Sequence, residues 1–249
     1  MRQDFLYLSV MKTQLTIILT LIFNCAFSQG KPLESFIPKG CKILATANGD
    51  LNNDKQEDVA LVVQEPTLHR DPKKADAYEK DIIALHPQTL LILFKAGNGY
   101  VEKVRNKVFI PSKNIKEYPD SEDYLVANDA EAFYIKKGVL RCTFNYYSNL
   151  SLWANSEETY SFALKSNDMA LTRYRCYTIH SSDGLAYEKV IDFEKGTVTN
   201  YEKVTDFEKG TATQTKPAVT LKLKNKKPIL LKSMVNAIAD SYNYDFENK

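Results

Sequence analysis

Histidine is scarce in this chain of 249 residues, which holds 3: His69, His86 and His180. A serine triad needs an imidazole poised at an exposed hydroxyl, and no serine here lies in a glycine-framed elbow. The run His180-Ser181-Ser182-Asp183 gathers suitable residue types, but neighbours in sequence seldom meet in catalytic geometry, so it reads as a turn. Glycine is thin as well, with 9 residues, none grouped into a phosphate-cradling loop. The 4 cysteines show no zinc-ligand spacing. No apolar run approaches the roughly 20 residues that a membrane-spanning helix requires. These gaps leave nucleophilic catalysis with little support, and enzymatic activity is less expected than binding.

Charge of one sign is also missing. Lys12 precedes an apolar run from Leu15 to Phe23, and Ala26-Phe27-Ser28 offers small residues at a cleavage point, so residues 1–28 read as a secretory signal. Met11 is an alternative start. Cys25 raises a lipoprotein alternative, with its thiol acylated after processing, although Asn24 stands where that processing prefers a small residue. Removing Arg2, Lys12 and Asp4 with the signal leaves 31 basic and 30 acidic side chains. Such a balance argues against nucleic acid, whose recognition rests on a clustered positive face. The expected location is secreted or periplasmic, with no transmembrane segment after cleavage. Of the cysteines that follow, Cys41, Cys142 and Cys176, the odd count excludes complete internal pairing; buried free thiols and a Cys142–Cys176 bridge both stay open.

Strand signals dominate from residue 40 onward. Asp58 to Gln64 and Leu90 to Lys95 are short apolar runs, and Gly97-Asn98-Gly99 before Tyr100 to Phe109 is a hairpin signature. In Val139 to Tyr147, the residues Leu140, Cys142, Phe144 and Tyr146 alternate with Arg141, Thr143 and Asn145, as a strand with one buried face requires. Thr159 to Lys165 and Met169 to Ile179 flank the turn Ser166-Asn167-Asp168. The fold class is therefore mainly β, an antiparallel meander forming a blade-like or sandwich-like sheet, with residues 29–249 as one domain. Ile229 to Tyr242 carries Leu230, Met234, Val235, Ile238 and Tyr242 on one stripe and predicts a C-terminal helix. Tyr187 to Asn200 is echoed by Tyr201 to Gln214, a 14-residue tandem duplication that lengthens a hairpin with Gly196 and Gly210 at turns.

The sharpest chemical signal is Gly49-Asp-Leu-Asn-Asn-Asp-Lys-Gln-Glu-Asp58, which leads into the strand at Val59. Asp50, Asn52, Asp54 and Asp58 occupy positions 1, 3, 5 and 9 of a hard-cation loop, and the Gln56 carbonyl falls at position 7. Without a cation the three aspartates would repel one another. A metal-free Asx-type turn is the competing reading. Leu61 stands where an EF-hand needs its bidentate glutamate, which disfavours that motif.

The stretch from Ala47 to Val63 resembles the calcium loops of integrin-type FG-GAP and VCBS repeats, departing at Lys55, where those loops prefer glycine. Together with Phe36 to Leu44 and the Leu90 to Phe94 strand, it is similar to exported, uncharacterised proteins known mainly from Bacteroidetes. That resemblance implies a structural calcium ion and brings no activity with it.

Two further features bear on function. Tyr146, Tyr147 and Trp153 surround a polar segment and are candidates to stack on sugars or meet a protein partner, against core burial of the same rings. Asp120, Glu122, Asp123, Asp129 and Glu131 form an acidic stretch in which a glycosidase pair would have to hide. The expectation is a calcium-stabilised binding or envelope-associated module whose partner is a cell-envelope protein or a glycan. An extracytoplasmic hydrolase of polysaccharide or peptide is the alternative.

Overall fold

The structure, a computed structural model, describes residues 30–66, 87–111, 131–147, 154–180, 183–206, 209, 211–223 and 227–234. The signal segment, the stretch around His69 and His86, most of the acidic stretch and Trp153 lie outside these residues.

Two antiparallel sheets account for the fold. The smaller has four strands in sequence order: β1 (Lys42–Gly49), β2 (Asp58–Gln64), β3 (Gln88–Ala96) and β4 (Gly99–Asn106). The larger has eight strands: β5 (Phe133–Lys136), β6 (Val139–Tyr147), β7 (Ala154–Lys165), β8 (Asp168–His180), β9 (Leu185–Asp192), β10 (Thr197–Asp206), β11 (Thr211–Gln214) and β12 (Val219–Lys222). Strands β5 to β11 follow one another across it, and β12 pairs β10 beside β11. Tight turns connect several neighbours. Lys137 and Gly138 have φ of 52° and 74°, and Ser166 and Asn167 have 46° and 66°, the paired positive values that suit twisted hairpins.

One core joins the sheets. Ala47, Val62, Leu90 and Ile92 of the smaller sheet pack with Leu140, Phe144, Phe162 and Ile191 of the larger, as in a sandwich. Phe109, just after β4, is fully buried between them and meets Phe144, Tyr160 and Phe162 edge-on at 5.3–5.5 Å between ring centroids. The opposite face of the smaller sheet is also dry. Val59, Leu61, Val63, Leu91 and Leu93 form a second cluster covered by Leu33, Phe36 and Ile37 from the segment before β1. That cover is why β2 reads as an unbroken apolar run rather than an alternating one.

The C-terminal expectation needs correcting over its first residues. Leu230 makes an antiparallel bridge to Ala170, Leu231–Ser233 is a single 3-10 turn, and Met234 is extended. Burial decides this: Leu231 and Met234 enter the core, and the buried Asn106 amide donates to the carbonyls of both, at 2.5 and 2.8 Å. The stripe from Val235 to Tyr242 lies outside the described residues. Among the described residues no helix is long and apolar enough to cross a membrane.

The bridge alternative for the cysteines also falls. Cys142 on β6 and Cys176 on β8 are free thiols with the whole of β7 between them. Two strand spacings amount to roughly 9–10 Å, beyond the ~7 Å between α-carbons that a disulfide tolerates. Burial pushes both thiols up in pKa, as apolar surroundings disfavour a thiolate.

The duplication has a distinctive layout. The first copy supplies β9, a turn at Gly196 (φ 65°) and the start of β10, while the second supplies the rest of β10 and β11. Tyr187 pairs with Glu202, and Tyr201 with Glu188, so equivalent residues of the two copies face opposite sides of the sheet. Thus Glu188 of the first copy accepts from Lys203 of the second, whereas Glu202 turns the other way and meets Lys216 at 2.9 Å.

Candidate functional site

The loop from Asp50 to Glu57 closes the β1–β2 hairpin above the pair Gly49 and Asp58. Leu51 is buried in the shared core and anchors it. Its oxygens turn inward onto the loop's own backbone. Asp50 accepts the amides of Asp54 and Lys55, Asn52 Oδ1 accepts that of Asp54, and Asp54 Oδ1 accepts that of Gln56, at 2.8–3.2 Å. Asn53 and Lys55 take left-handed φ values of 63° and 68°, so Lys55 adopts the conformation for which glycine is the unstrained residue.

Asp58 plays a different part from its neighbours. It is fully buried, and its carboxylate accepts the Leu51 amide through Oδ2 and the Lys95 amide through Oδ1, both at 2.9 Å. Burial raises its pKa above the ordinary carboxylate value; the Lys95 and Leu51 amides work against that, and the Asp54 charge adds to it. The carboxylate therefore ties loop, core anchor and the end of β3 together.

The donors Asp50, Asn52, Asp54, Asp58 and the Gln56 carbonyl are all hard oxygens, the chemistry calcium takes. Carboxylate and amide oxygens that accept one backbone amide retain a second lone pair. Among the described residues, no three of His, Cys, Asp and Glu gather as a group able to hold a metal ion. The loop also touches the larger sheet. A β-carbon on Gly138, in the β5–β6 turn, would sit 3.6 Å from Asn53 Oδ1, and one on Gly49 would meet Ile135 of β5 at 2.6 Å.

On the larger sheet, the polar phase of the strands makes the face turned away from the core. Cross-strand register aligns Thr143, Thr159, Arg175 and Val190 in one row, and Asn145, Glu157, Tyr177 and Glu188 in the next. Arg175 lies between two acids: it bonds Glu157, and its Nε meets Glu188 at 2.5 Å. Lys203 completes the chain from the far side of Glu188. Burial acts to raise the Glu188 pKa, but its bonds to Lys203 and Arg175 prevail and hold it below the ordinary range. Glu157 and Glu188 are thus ion-pair partners rather than a facing acid and base. Over β5 to β8 this face opens into a depression of about 750 Å³ lined by Tyr134, Arg141, Thr143, Asn145 and Thr159 among others.

The aromatic candidates separate. Tyr146 is half-buried and packs against the core; the side chain of Tyr147 and all of Trp153 lie outside the described residues. Beneath Tyr146, the buried Tyr160 and Tyr174 hydroxyls both donate to Glu158, at 2.6 and 3.0 Å. That carboxylate satisfies two phenols that the core would otherwise strand, and burial, with Glu158 adding to it, drives both phenol pKa values upward. Sequence reasoning passed over Arg141, Thr143 and Asn145, although their alternation with the apolar phase was the signal that they share an outer face.

Comparison of the chain with protein-family models, with curated proteins and with solved structures yields no match.

Proposed function

We propose that this protein is an exported, secreted or periplasmic, β-sandwich binding module, with calcium at the Asp50 loop serving structure rather than reaction chemistry. The observation that carries the reading is the position of that loop. It caps the β1–β2 hairpin, is tied to β3 through Asp58, and abuts the β5–β6 turn of the other sheet. Asp50, Asn52, Asp54 and the Gln56 carbonyl are the residues that would hold the ion, with Asp58 at their base. Calcium would supply positive charge where Asp54 already pushes Asp58 upward. The outer face of the larger sheet, with its depression bounded by charged, amide and hydroxyl side chains, supports binding over catalysis.

Thermal unfolding of the full chain tests the loop. Calcium is expected to raise the melting temperature by several degrees over a chelator control, and Asp54→Ala to abolish that rise. An identical melt in calcium and chelator overturns the metal assignment.

A further inference from the structure

The geometry points to the depression over β5–β8 as a site for an acidic saccharide, with Arg141 as the anchor for its carboxylate; this rests on the binding-module reading and assigns that module a site and a ligand class. Arg141 stands exposed on the outer face of β6. One guanidinium nitrogen donates to the Tyr134 hydroxyl at 2.9 Å, and the group sits 5.8 Å from the Tyr134 ring centroid. Among the described residues no carboxylate pairs with it. Arg175, on the same face, is the contrast, since Glu157 and Glu188 already neutralise it.

A guanidinium offers five N–H donors in a planar fork, and that fork matches a carboxylate bidentately. The Tyr134 bond fixes one corner of the group and leaves the remainder for a ligand. Beside it lie groups suited to hydroxyls. Thr143 and Thr159 share a single hydrogen bond at 3.2 Å, so each hydroxyl retains bonding capacity, and the Asn145 amide follows on the same face of β6.

These observations favour a sugar acid over an acidic peptide. An extended peptide that adds to a sheet needs main-chain bonds to a free edge, and an acidic motif read without them needs a cluster of arginines rather than one unpaired guanidinium. Here β6, β7 and β8, which carry Arg141, Thr143, Asn145 and Thr159, are paired on both sides and their backbone groups are committed to the ladder, so over these three strands only side chains remain to read a ligand. The side chains present are two threonine hydroxyls, the Asn145 amide and the Tyr134 phenol, with Lys136, Arg141 and Arg175 against Glu131 and Glu157, so one positive charge is left over for an anionic ligand.

Isothermal titration of the full chain with an oligogalacturonate, its methyl ester and an oligoaspartate peptide tests the assignment. The oligogalacturonate is expected to bind, and the methyl ester, which keeps the hydroxyls and loses the charge, to bind about tenfold or more weakly. Arg141→Ala is expected to impose a similar loss at unchanged melting temperature, and Arg141→Lys a partial one. The proposal is overturned if no oligogalacturonate binds, if Arg141→Ala binds as tightly as the parent, or if the ester or the peptide matches the acid. The calcium melt reads the Asp50 loop and this titration reads β6, so either result can fail alone.

Discussion

Asp58 and Lys95 are 37 positions apart, yet the Asp58 carboxylate accepts the Lys95 amide at 2.9 Å while its other oxygen holds Leu51. A single buried side chain thereby closes the loop from Asp50 to Glu57 against the far end of β3. Asp58→Ala would leave those amides without their acceptor, and a loss of about 2–5 kcal/mol is expected. Asp58→Asn, which keeps one acceptor oxygen, should cost less. Urea denaturation of the two variants beside the parent measures the difference, and equal midpoints would contradict the role given to this carboxylate.

Lys55 holds φ at 68° in the same loop, where a side chain is strained. Lys55→Gly removes a penalty of about 1–2 kcal/mol and adds about 0.5–1 kcal/mol of backbone entropy, for a small net gain. The denaturation midpoint should therefore rise in Lys55→Gly and fall in Lys55→Val, whose branched side chain tolerates this region least.

Glu188 gives the fold an acid-sensitive joint. Its folded pKa lies below the ordinary carboxylate value, so its stabilisation is present above that value and drains away as pH falls through the folded pKa. Glu188→Gln is expected to cost about 1–2 kcal/mol near neutrality and progressively less in acid, since the parent loses the same interaction there. A series of urea melts at falling pH checks this. A constant difference between variant and parent would show that Glu188 does not titrate in the expected sense.

Phe109 lies at the centre of the shared core, edge-on to Phe144, Tyr160 and Phe162. Phe109→Ala should destabilise by about 3–5 kcal/mol, and Phe109→Leu by much less, because a leucine refills most of the volume. Thermal unfolding that left both variants alike would mean that the two sheets meet elsewhere.

The sheet architecture was legible wherever one face of a strand is wet. Val139–Tyr147 shows its alternation in the residues themselves, and the structure places β6 over the same span. The turn at Ser166-Asn167 was equally plain, because backbone angles with positive φ favour few residue types and asparagine is one of them. What escaped reading depends on distant partners. Leu230 and Met234 are spaced as on a helix, but Asn106 and Ala170 recruit that segment into an extended bridge and a single turn. The buried role of Asp58 was hidden among the other loop oxygens, since nothing local announces that Lys95 will arrive beside it. The inverted facing of the two repeat copies was equally unreadable, because it follows from a cross-strand register that the turn at Gly196 sets.

That inversion has a consequence for how such a sheet changes over generations. The first copy meets the second through Glu188 and Lys203, and the half-buried Glu202 of the second is met by Lys216 just beyond the repeat. A unit whose acid on one strand greets the base on the next is its own template. Another in-frame copy would supply one more strand and turn at a border where β12 already pairs β10, and the chain would still have to return Leu223, Leu231 and Met234 to the core, so the residues that follow the repeat limit how wide that border can grow.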